Sequence, residues 1–165
     1  MKVRYEDVIK NEQIAIFIEK ADMTLAQLGY TEHSFIHAGR VTQVAGMILE
    51  ELMFSKRDIE LAKIAGYMHD IGNVINRTDH AQSGAVMAYR HLDNMGMEAG
   101  DIAQVITAIG NHDENTAYPV DAVTAALIIA DKTGVRSSRA RNQDSTTFDQ
   151  HDRVNFAVKE SKVKV

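Results

Sequence analysis

The sequence of 165 residues contains no cysteine and no tryptophan, and its one proline is Pro119. Without cysteine, the chain cannot form a disulfide-stabilised fold, a thiolate metal site or a cysteine nucleophile. A transition-metal site in such a chain must therefore use histidine and carboxylate side chains. Alanine, leucine, methionine, glutamate, lysine and glutamine are frequent up to about Gly134, and this composition predicts a mainly α-helical protein.

Positively charged residues are fewer than negatively charged ones. The chain has 18 lysine and arginine residues against 23 aspartate and glutamate residues, which gives a net charge of −5. That balance argues against general binding of a nucleic-acid polymer, which requires a basic face. The sequence has no apolar run long enough to span a bilayer, and its first residues lack the apolar core of a secretion signal. We therefore expect a cytoplasmic location, with no membrane and no nucleic-acid polymer as partner.

Apolar side chains recur at helical spacing in several segments before residue 137. The pattern predicts helices over about 5–28, 32–54, 56–69, 80–94, 99–111 and 120–134. Glycine and asparagine residues predict a break between the third and fourth of these helices. The expected fold is a bundle of about six helices that forms one domain over residues 1–136.

The last part of the chain, residues 137–165, has a different character. It begins with a polar stretch that lacks clear periodicity, which predicts an irregular segment. Val154, Phe156 and Val158 then alternate with polar residues, and this spacing predicts a short β-hairpin or strand extension. We expect these strands either to pack on the same domain or to pair with a second copy in a homodimer.

Several histidine and aspartate residues that could bind a metal lie on the predicted helices or at their ends. His69 and Asp70 end one helix, and His37 lies on the preceding one. Asp131 lies within the most apolar helix, where a carboxylate is costly unless it is paired or bound to a metal. Imidazole and carboxylate together suit iron, manganese, zinc or nickel, and a carboxylate has two oxygens that can bridge two cations.

Three short motifs carry a resemblance to a known family. The chain contains HAGRV at His37–Val41, MHDIG at Met68–Gly72 and IIADKTG at Ile128–Gly134. Their order and spacing resemble the HD superfamily of metal-dependent phosphohydrolases, over roughly residues 31–136. Asn73 stands where many members have lysine. The resemblance implies an all-α metal-binding domain.

The resemblance also implies a set of metal ligands. His80 and His112 resemble the two additional histidines of the members that hold two metals. The implied ligands are His37, His69, Asp70 and Asp131 for one ion, and Asp70, His80 and His112 for a second. The implied cofactor is a divalent transition metal, one or two ions per chain, with iron or manganese favoured over zinc, nickel, cobalt or magnesium.

The implied activity is hydrolysis of a small phosphorylated or nucleotide-like substrate by metal-activated water. The expected catalytic residues are Asp70, Lys132 and Arg136. The expected substrate-binding residues are Arg40, Arg77, Lys132, Arg136 and Arg139. Two alternatives remain open, because some relatives in the superfamily are di-iron oxygenases with the same six ligand types, and a third class of HD domain senses ligands without catalysis.

Two further histidines are not assigned to the site. His33 precedes the helix that carries His37, and we interpret it as a polar residue at a helix start. His91 lies in mid-helix beside Arg90 and Asp93, and we predict that it faces solvent.

Overall fold

A computed structural model describes residues 2–142, 144–148 and 150–165, and of Ser145, Gln150 and His151 it describes the backbone alone. These residues form α-helices and short 3-10 turns, and no strand occurs among them. The α-helices are α1 (Tyr5–Val8), α2 (Glu12–Gln27), α3 (Phe35–Glu51), α4 (Lys56–Met68), α5 (His80–Asn94), α6 (Ala99–Gly110), α7 (Ala122–Lys132) and α8 (Gln150–Ala157). The 3-10 turns are Ile71–Val74, Ser137–Arg139 and Ser145–Thr147. The predicted mainly α fold is confirmed.

Side-chain caps determine where several helices begin. The Asn11 side chain accepts hydrogen bonds from the backbone N–H groups of Gln13 and Ile14, and this cap starts α2. The predicted helix over 5–28 is therefore two helices, because the chain breaks before Asn11. The Ser34 hydroxyl caps α3 in the same way, so that His37 lies in the first turn of that helix.

The core lies between α3, α4, α6 and α7, with α5 packed against α6. Helices α3 and α4 approach each other closely at Gly66, where an added Cβ would lie 3.0 Å from the backbone of Thr42. Close packing here brings the ends of several helices to one side of the bundle. The large side chains with almost no exposed surface include Ile14, Leu25, Leu49, Leu61, Ile64, Met68, Ile71, Leu92, Ile109 and Leu127.

A second close approach joins the end of α4 to the start of α5. A Cβ at Gly72 would lie 2.0 Å from the carbonyl oxygen of His80 and 2.5 Å from the backbone nitrogen of Gly84. Any larger side chain would push these segments apart. Glycine at this position therefore lets the first residue of α5 lie beside the His69–Asp70 pair.

The predicted C-terminal β-hairpin is wrong. Where strands were predicted, the chain forms α8 and an extended tail that pairs with no strand in the part of the chain that the structure describes. The Arg136 backbone N–H donates to Asn155 Oδ1 at 3.1 Å, and the Ser137 N–H donates to the Val158 carbonyl at 3.2 Å. These bonds attach α8 and the residue after it to the turn that follows α7. The homodimer stays a prediction.

The strand prediction failed because the buried face of α8 is polar. Asp152 and Asn155 are each 4% exposed and lie three positions apart, which is helical spacing. Val154 and Phe156 are 46% and 55% exposed. The alternating apolar residues thus do not form a buried face, and polar side chains hold the segment instead.

Candidate metal centre

Six side chains with metal-ligating atoms meet on one side of the bundle. Each comes from a helix end or from the segment beside it. The contributing positions are the start of α3, the two residues after α4, the start of α5, the segment after α6, and the end of α7. They supply His37, His69, Asp70, His80, His112 and Asp131. The structure therefore brings together all six ligands that the family resemblance implied.

Four of these side chains form the first half of the cluster. His37 Nε2 lies 3.3 Å from His69 Nε2 and 3.2 Å from Asp131 Oδ1. His69 Nε2 lies 3.1 Å from Asp70 Oδ2. The rings of His37 and His69 are fully buried, and the two carboxylates are about one-seventh exposed. These atoms are close enough to surround one ion.

The second half of the cluster lies on the other side of Asp70. Asp70 Oδ1 is 3.5 Å from His80 Nε2 and 3.9 Å from His112 Nε2. The two oxygens of the Asp70 carboxylate therefore face two different groups of histidines. This arrangement is the one that a carboxylate bridging two cations requires.

Backbone carbonyls orient three of the histidine rings. The Nδ1 atom lies close to the carbonyl oxygen of the residue three positions earlier, at 2.8 Å for His69, 2.6 Å for His112 and 3.1 Å for His80. A carbonyl can only accept, so each Nδ1 carries a hydrogen and, in the neutral ring, each Nε2 has a lone pair for a metal ion. His37 Nδ1 has no hydrogen-bond partner among the described residues.

The charges of the cluster favour a cation at its centre. Burial opposes a charge on the His69 ring, but Asp70 and Asp131 outweigh it and raise the pKa of His69 to about 10. Burial likewise disfavours the ionised forms of Asp70 and Asp131, but the neighbouring histidines hold the pKa of each carboxyl well below its usual range. The buried carboxylates therefore require compensating positive charge, which a divalent metal would provide. The donor set fits such an ion.

Asn73 is a buried neighbour of the bridging carboxylate. Its amide nitrogen donates to Asp70 Oδ1 at 2.9 Å and to the Asp70 carbonyl at 3.0 Å. Arg77 Nη1 lies 3.4 Å from Asn73 Oδ1 and 3.4 Å from His80 Nε2. The residue at the position where many family members have lysine therefore orients the carboxylate of Asp70.

A pocket of about 340 Å³ opens over the cluster. Helix α8 contributes Val154 and Asn155 to its wall, so the C-terminal segment covers one side of it. The Arg77 guanidinium lies 5.6 Å from the centre of the Tyr30 ring, which also lines the pocket. The charged side chains of the lining that do not belong to the cluster are Arg77, Asp113, Glu114, Lys132 and Arg139.

Three of the predicted substrate-binding cations lie at this pocket. Lys132 Nζ is 3.1 Å from Asp131 Oδ2. Arg139 is buried, and it donates to the Glu32 carbonyl at 2.9 Å and to the Gly134 carbonyl at 3.1 Å. Burial lowers the pKa of the Arg139 guanidinium, and Asp131 and Asp70 oppose this effect. With Arg77, these side chains give the pocket positive charge beside the acidic cluster.

The structure does not bring Arg40 and Arg136 to the cluster. Both line a second depression, between the end of α7 and the C-terminal tail. Arg40 Nη2 donates to the Ser161 carbonyl at 2.7 Å, and Arg136 Nη2 binds Glu32 Oε2 at 2.6 Å. The 3-10 turn over 137–139 separates Arg136 from the pocket and turns the later arginine inward, so the two arginines serve different surfaces.

The family model that describes the HD domain matches residues 34–143 of the chain. The matched segment includes every side chain of the cluster and most of the bundle. This chain belongs to the HD-domain family.

Known proteins similar to this HD domain include an uncharacterised protein of Methanocaldococcus jannaschii, 26% identical over 85% of the chain. Ribonuclease Y of Deinococcus radiodurans is 32% identical over 65% of the chain. A solved structure, described as a predicted HD superfamily hydrolase from an uncultured Thermotogales bacterium, is 25% identical with a TM-score of 0.57 and covers 74% of the chain. The chain spans 62%, 18% and 66% of the lengths of these three proteins, respectively. A hydrolase-type HD domain is therefore the class that the comparisons support.

Two histidines that the sequence did not assign to the site make defined contacts in the structure. His33 lines the pocket, and its ring contacts the His37 ring edge-on with 5.3 Å between the ring centres. Burial lowers the pKa of His33 to about 3, although Asp70 opposes the shift. His91 is 8% exposed and packs against Phe17, so its predicted exposure is wrong.

No helix formed by the described residues has both the length and the apolar character that crossing a bilayer requires.

Proposed function

We propose that this HD domain is a metal-dependent phosphohydrolase that cleaves a phosphoester of a small phosphorylated or nucleotide-like substrate. The observation that carries the proposal is the position of Asp70, whose two oxygens face two groups of histidines at 3.1–3.9 Å. Oxygen and imidazole ligands around a shared carboxylate suit a two-metal hydrolytic centre. The similarity to a structure described as an HD superfamily hydrolase supports the same reaction class.

The proposed ligands divide into two sets that share Asp70. The first ion would be held by His37, His69, Asp70 and Asp131, and the second by Asp70, His80 and His112. Divalent ions at such a centre activate water and polarise a phosphoryl oxygen. Iron and manganese are the ions that we favour, because the site offers nitrogen and oxygen donors and no sulfur.

Positive side chains of the pocket would bind the phosphoryl group. Arg139 is fixed by two carbonyl oxygens through Nε and Nη1, and it lies at the pocket wall. Lys132 and Arg77 are two further cations that line the pocket. An arginine held by the backbone loses little freedom on binding an anion, so it is suited to orient a phosphate. Asp113, which lines the pocket next to His112, is the proposed proton donor to the leaving oxygen.

The size of the pocket indicates the substrate class. A volume of about 340 Å³ lies at the lower end of the range typical of small-molecule sites. The name of ribonuclease Y states that this relative acts on RNA, which also contains phosphoester bonds. The present chain corresponds to only 18% of that protein. We therefore propose that it cleaves the same type of bond, a phosphoester, and we do not propose RNA as its substrate.

The deciding experiment combines metal analysis with product detection. Protein purified without oxygen is analysed for metal content and then assayed for phosphate or alcohol release from a panel of phosphomonoesters, phosphodiesters and nucleotides, with oxygen consumption recorded in parallel. We expect close to two metal ions per chain and hydrolysis without oxygen uptake. Oxygen uptake without phosphoester cleavage would assign the centre to an oxygenase. A metal-loaded protein inactive in both assays would favour the ligand-sensing alternative.

A matched pair of variants separates catalysis from folding. Asp70→Ala removes the shared carboxylate, and it should abolish hydrolysis and most metal binding. His91→Gln replaces a buried histidine that packs against Phe17 and lies outside the cluster, so it should retain both. Equal activity in Asp70→Ala and the unmodified protein would contradict the proposal.

A further inference from the structure

His33 is held rigidly at the wall of the pocket without belonging to the metal cluster. Its backbone N–H donates to Asp22 Oδ1 at 2.7 Å, and its ring Nδ1 lies 2.7 Å from the Thr31 carbonyl oxygen. The ring edge also contacts His37. Three contacts from separate directions therefore fix both the position and the rotation of this ring.

The segment that carries His33 is itself anchored. The Glu32 N–H donates to the Arg139 carbonyl at 2.9 Å, and Arg139 Nε donates to the Glu32 carbonyl at 2.9 Å. Ser34, on the other side of His33, caps α3 and bonds the Glu32 carboxylate. This reciprocal pairing joins the segment before α3 to the turn after α7.

The hydrogen on the His33 ring can be assigned from its neighbours. The Thr31 carbonyl accepts only, so Nδ1 carries a hydrogen and, in the neutral ring, Nε2 has a free lone pair. Among the described residues, no side chain or backbone group makes a hydrogen bond to Nε2, and the ring lines the pocket. The atom is also absent from the groups of described side chains that lie close enough together to hold one metal ion. Nε2 is therefore available to a ligand with a hydrogen to donate.

We infer that His33 Nε2 accepts a hydrogen bond from the water that attacks phosphorus and so orients that water. The inference rests on the proposed phosphohydrolase function. In the reaction, the water oxygen forms a bond to phosphorus while the bond from phosphorus to the leaving oxygen breaks. Asp113 gives its proton to the leaving oxygen, the water loses one hydrogen as a proton that restores Asp113, and its other hydrogen remains on the product phosphate. His33 Nε2 accepts a hydrogen bond from this second hydrogen and takes up no proton, so the ring stays neutral and His33 is a positioning residue for the nucleophile.

Two substitutions separate this role from a structural one. In His33→Asn, the side-chain amide can still donate to the Thr31 carbonyl, but no atom reaches the position of Nε2. In His33→Gln, the longer side chain places a carboxamide oxygen near the position of Nε2. If His33 only holds the loop, the asparagine variant should behave like the unmodified protein. If His33 orients water, the asparagine variant should lose activity and the glutamine variant should recover part of it.

The kinetic test uses p-nitrophenyl phosphate and bis(p-nitrophenyl) phosphate with the manganese-loaded protein. We expect His33→Asn to lower kcat about 10- to 100-fold, with KM changed less than about 2-fold, because orientation of the nucleophile affects the chemical step more than binding. Metal content and Tm should equal those of the unmodified protein. His33→Gln should recover at least half of the loss on a logarithmic scale. Unchanged kcat in His33→Asn would overturn the inference, as would a loss of kcat that is matched by loss of metal.

A second readout does not depend on turnover. In zinc-loaded protein with ¹⁵N-labelled histidine, the side-chain spectrum of His33, assigned by its disappearance in His33→Gln, should show hydrogen on Nδ1 and none on Nε2. Zinc coordination of Nε2, or hydrogen on Nε2, would overturn the inference. If the unmodified protein hydrolyses no phosphoester, the proposed function and this inference both fail. If the protein is active and His33→Asn is equally active, only the inference fails.

Discussion

The Nε2 atoms of His37 and His69 lie 3.3 Å apart, although the two residues lie on different helices and 32 positions apart in the chain. Two ring nitrogens at this distance can share one hydrogen, but they cannot both carry one. The Oδ1 atom of Asp131 is 3.2 Å from the His37 nitrogen and 3.6 Å from that of His69. Three donor atoms thus point at one small space between α3, α4 and α7, and a cation there would satisfy all of them.

The shared carboxylate should control metal stoichiometry. Asp70→Ala removes the residue that faces both groups of histidines, so metal content should fall from about two ions per chain to nearly none. His80→Ala removes a ligand from the second group alone and should leave about one ion. Inductively coupled plasma mass spectrometry of the purified variants measures both values. Loss of a single ion in Asp70→Ala would argue against a bridging role.

Removal of the metal should lower the thermal stability of the fold. The proposed ligands lie on five different helical segments, so an ion bound there stabilises the native state and not the unfolded chain. A ligand present at 100 times its Kd contributes about 2.7 kcal/mol. For a domain of this length, that corresponds to a Tm difference of roughly 5–10 °C. Scanning calorimetry before and after chelation measures the change, and readdition of metal should restore the original Tm.

Asn73 should affect metal affinity without being a ligand. Its amide donates to Asp70 Oδ1 at 2.9 Å, so Asn73→Ala frees the carboxylate to rotate. Loss of a residue that orients a ligand typically weakens metal binding about 10- to 100-fold. Titration of the apo-protein with manganese gives the affinity. Asn76→Ala is the matched control, because that exposed side chain bonds only the nearby Thr78 N–H, and its affinity should equal that of the unmodified protein.

Gly72 should tolerate no side chain. In Gly72→Ala, the new methyl group would lie 2.0 Å from the His80 carbonyl oxygen, and relief of that overlap requires the start of α5 to move. The expected cost is about 3 kcal/mol of unfolding free energy, with weaker binding of the second ion. Gly100→Ala is the control, because nothing lies within 4 Å of an added Cβ there and the residue is helical. Its stability should change by less than about 1 kcal/mol. Urea unfolding compares the two variants, and equal midpoints would contradict the packing argument.

Local sequence predicted most of the helices and several of their ends. Helix α4, predicted over about 56–69, begins at Lys56, and the Ser55 side chain accepts a hydrogen bond from the Asp58 N–H there. The helix predicted over 80–94 has these bounds in the structure. Caps and apolar spacing act within one or two turns, so a single sequence contains the information. Asn11, which also caps a helix, was not recognised, and the first predicted helix was therefore too long.

The positions of two arginines and of the C-terminal segment could not be predicted from the sequence, because they depend on contacts between residues far apart in the chain. Arg136 and Arg139 are three residues apart, and the sequence offered no means to separate them. Pairing with Glu32 draws the first arginine away from the pocket, whereas the carbonyl oxygens of Glu32 and Gly134 hold the second at the pocket wall. In α8, bonds to Asn155 and Val158 from the end of α7 outweigh the strand-like alternation of apolar residues.

The sequence by itself determined the helical class, the family and the six histidine and aspartate residues that meet in the cluster, because these depend on short motifs and on periodicity along one helix. The tertiary structure decided which of the predicted cations reach the pocket and that His33 lies at its wall. These features depend on how helix ends far apart in the chain pack together, and close contacts such as those of Gly66 and Gly72 determine that packing. Distances between helices are a property of the packed core and are not encoded in the spacing of any single segment.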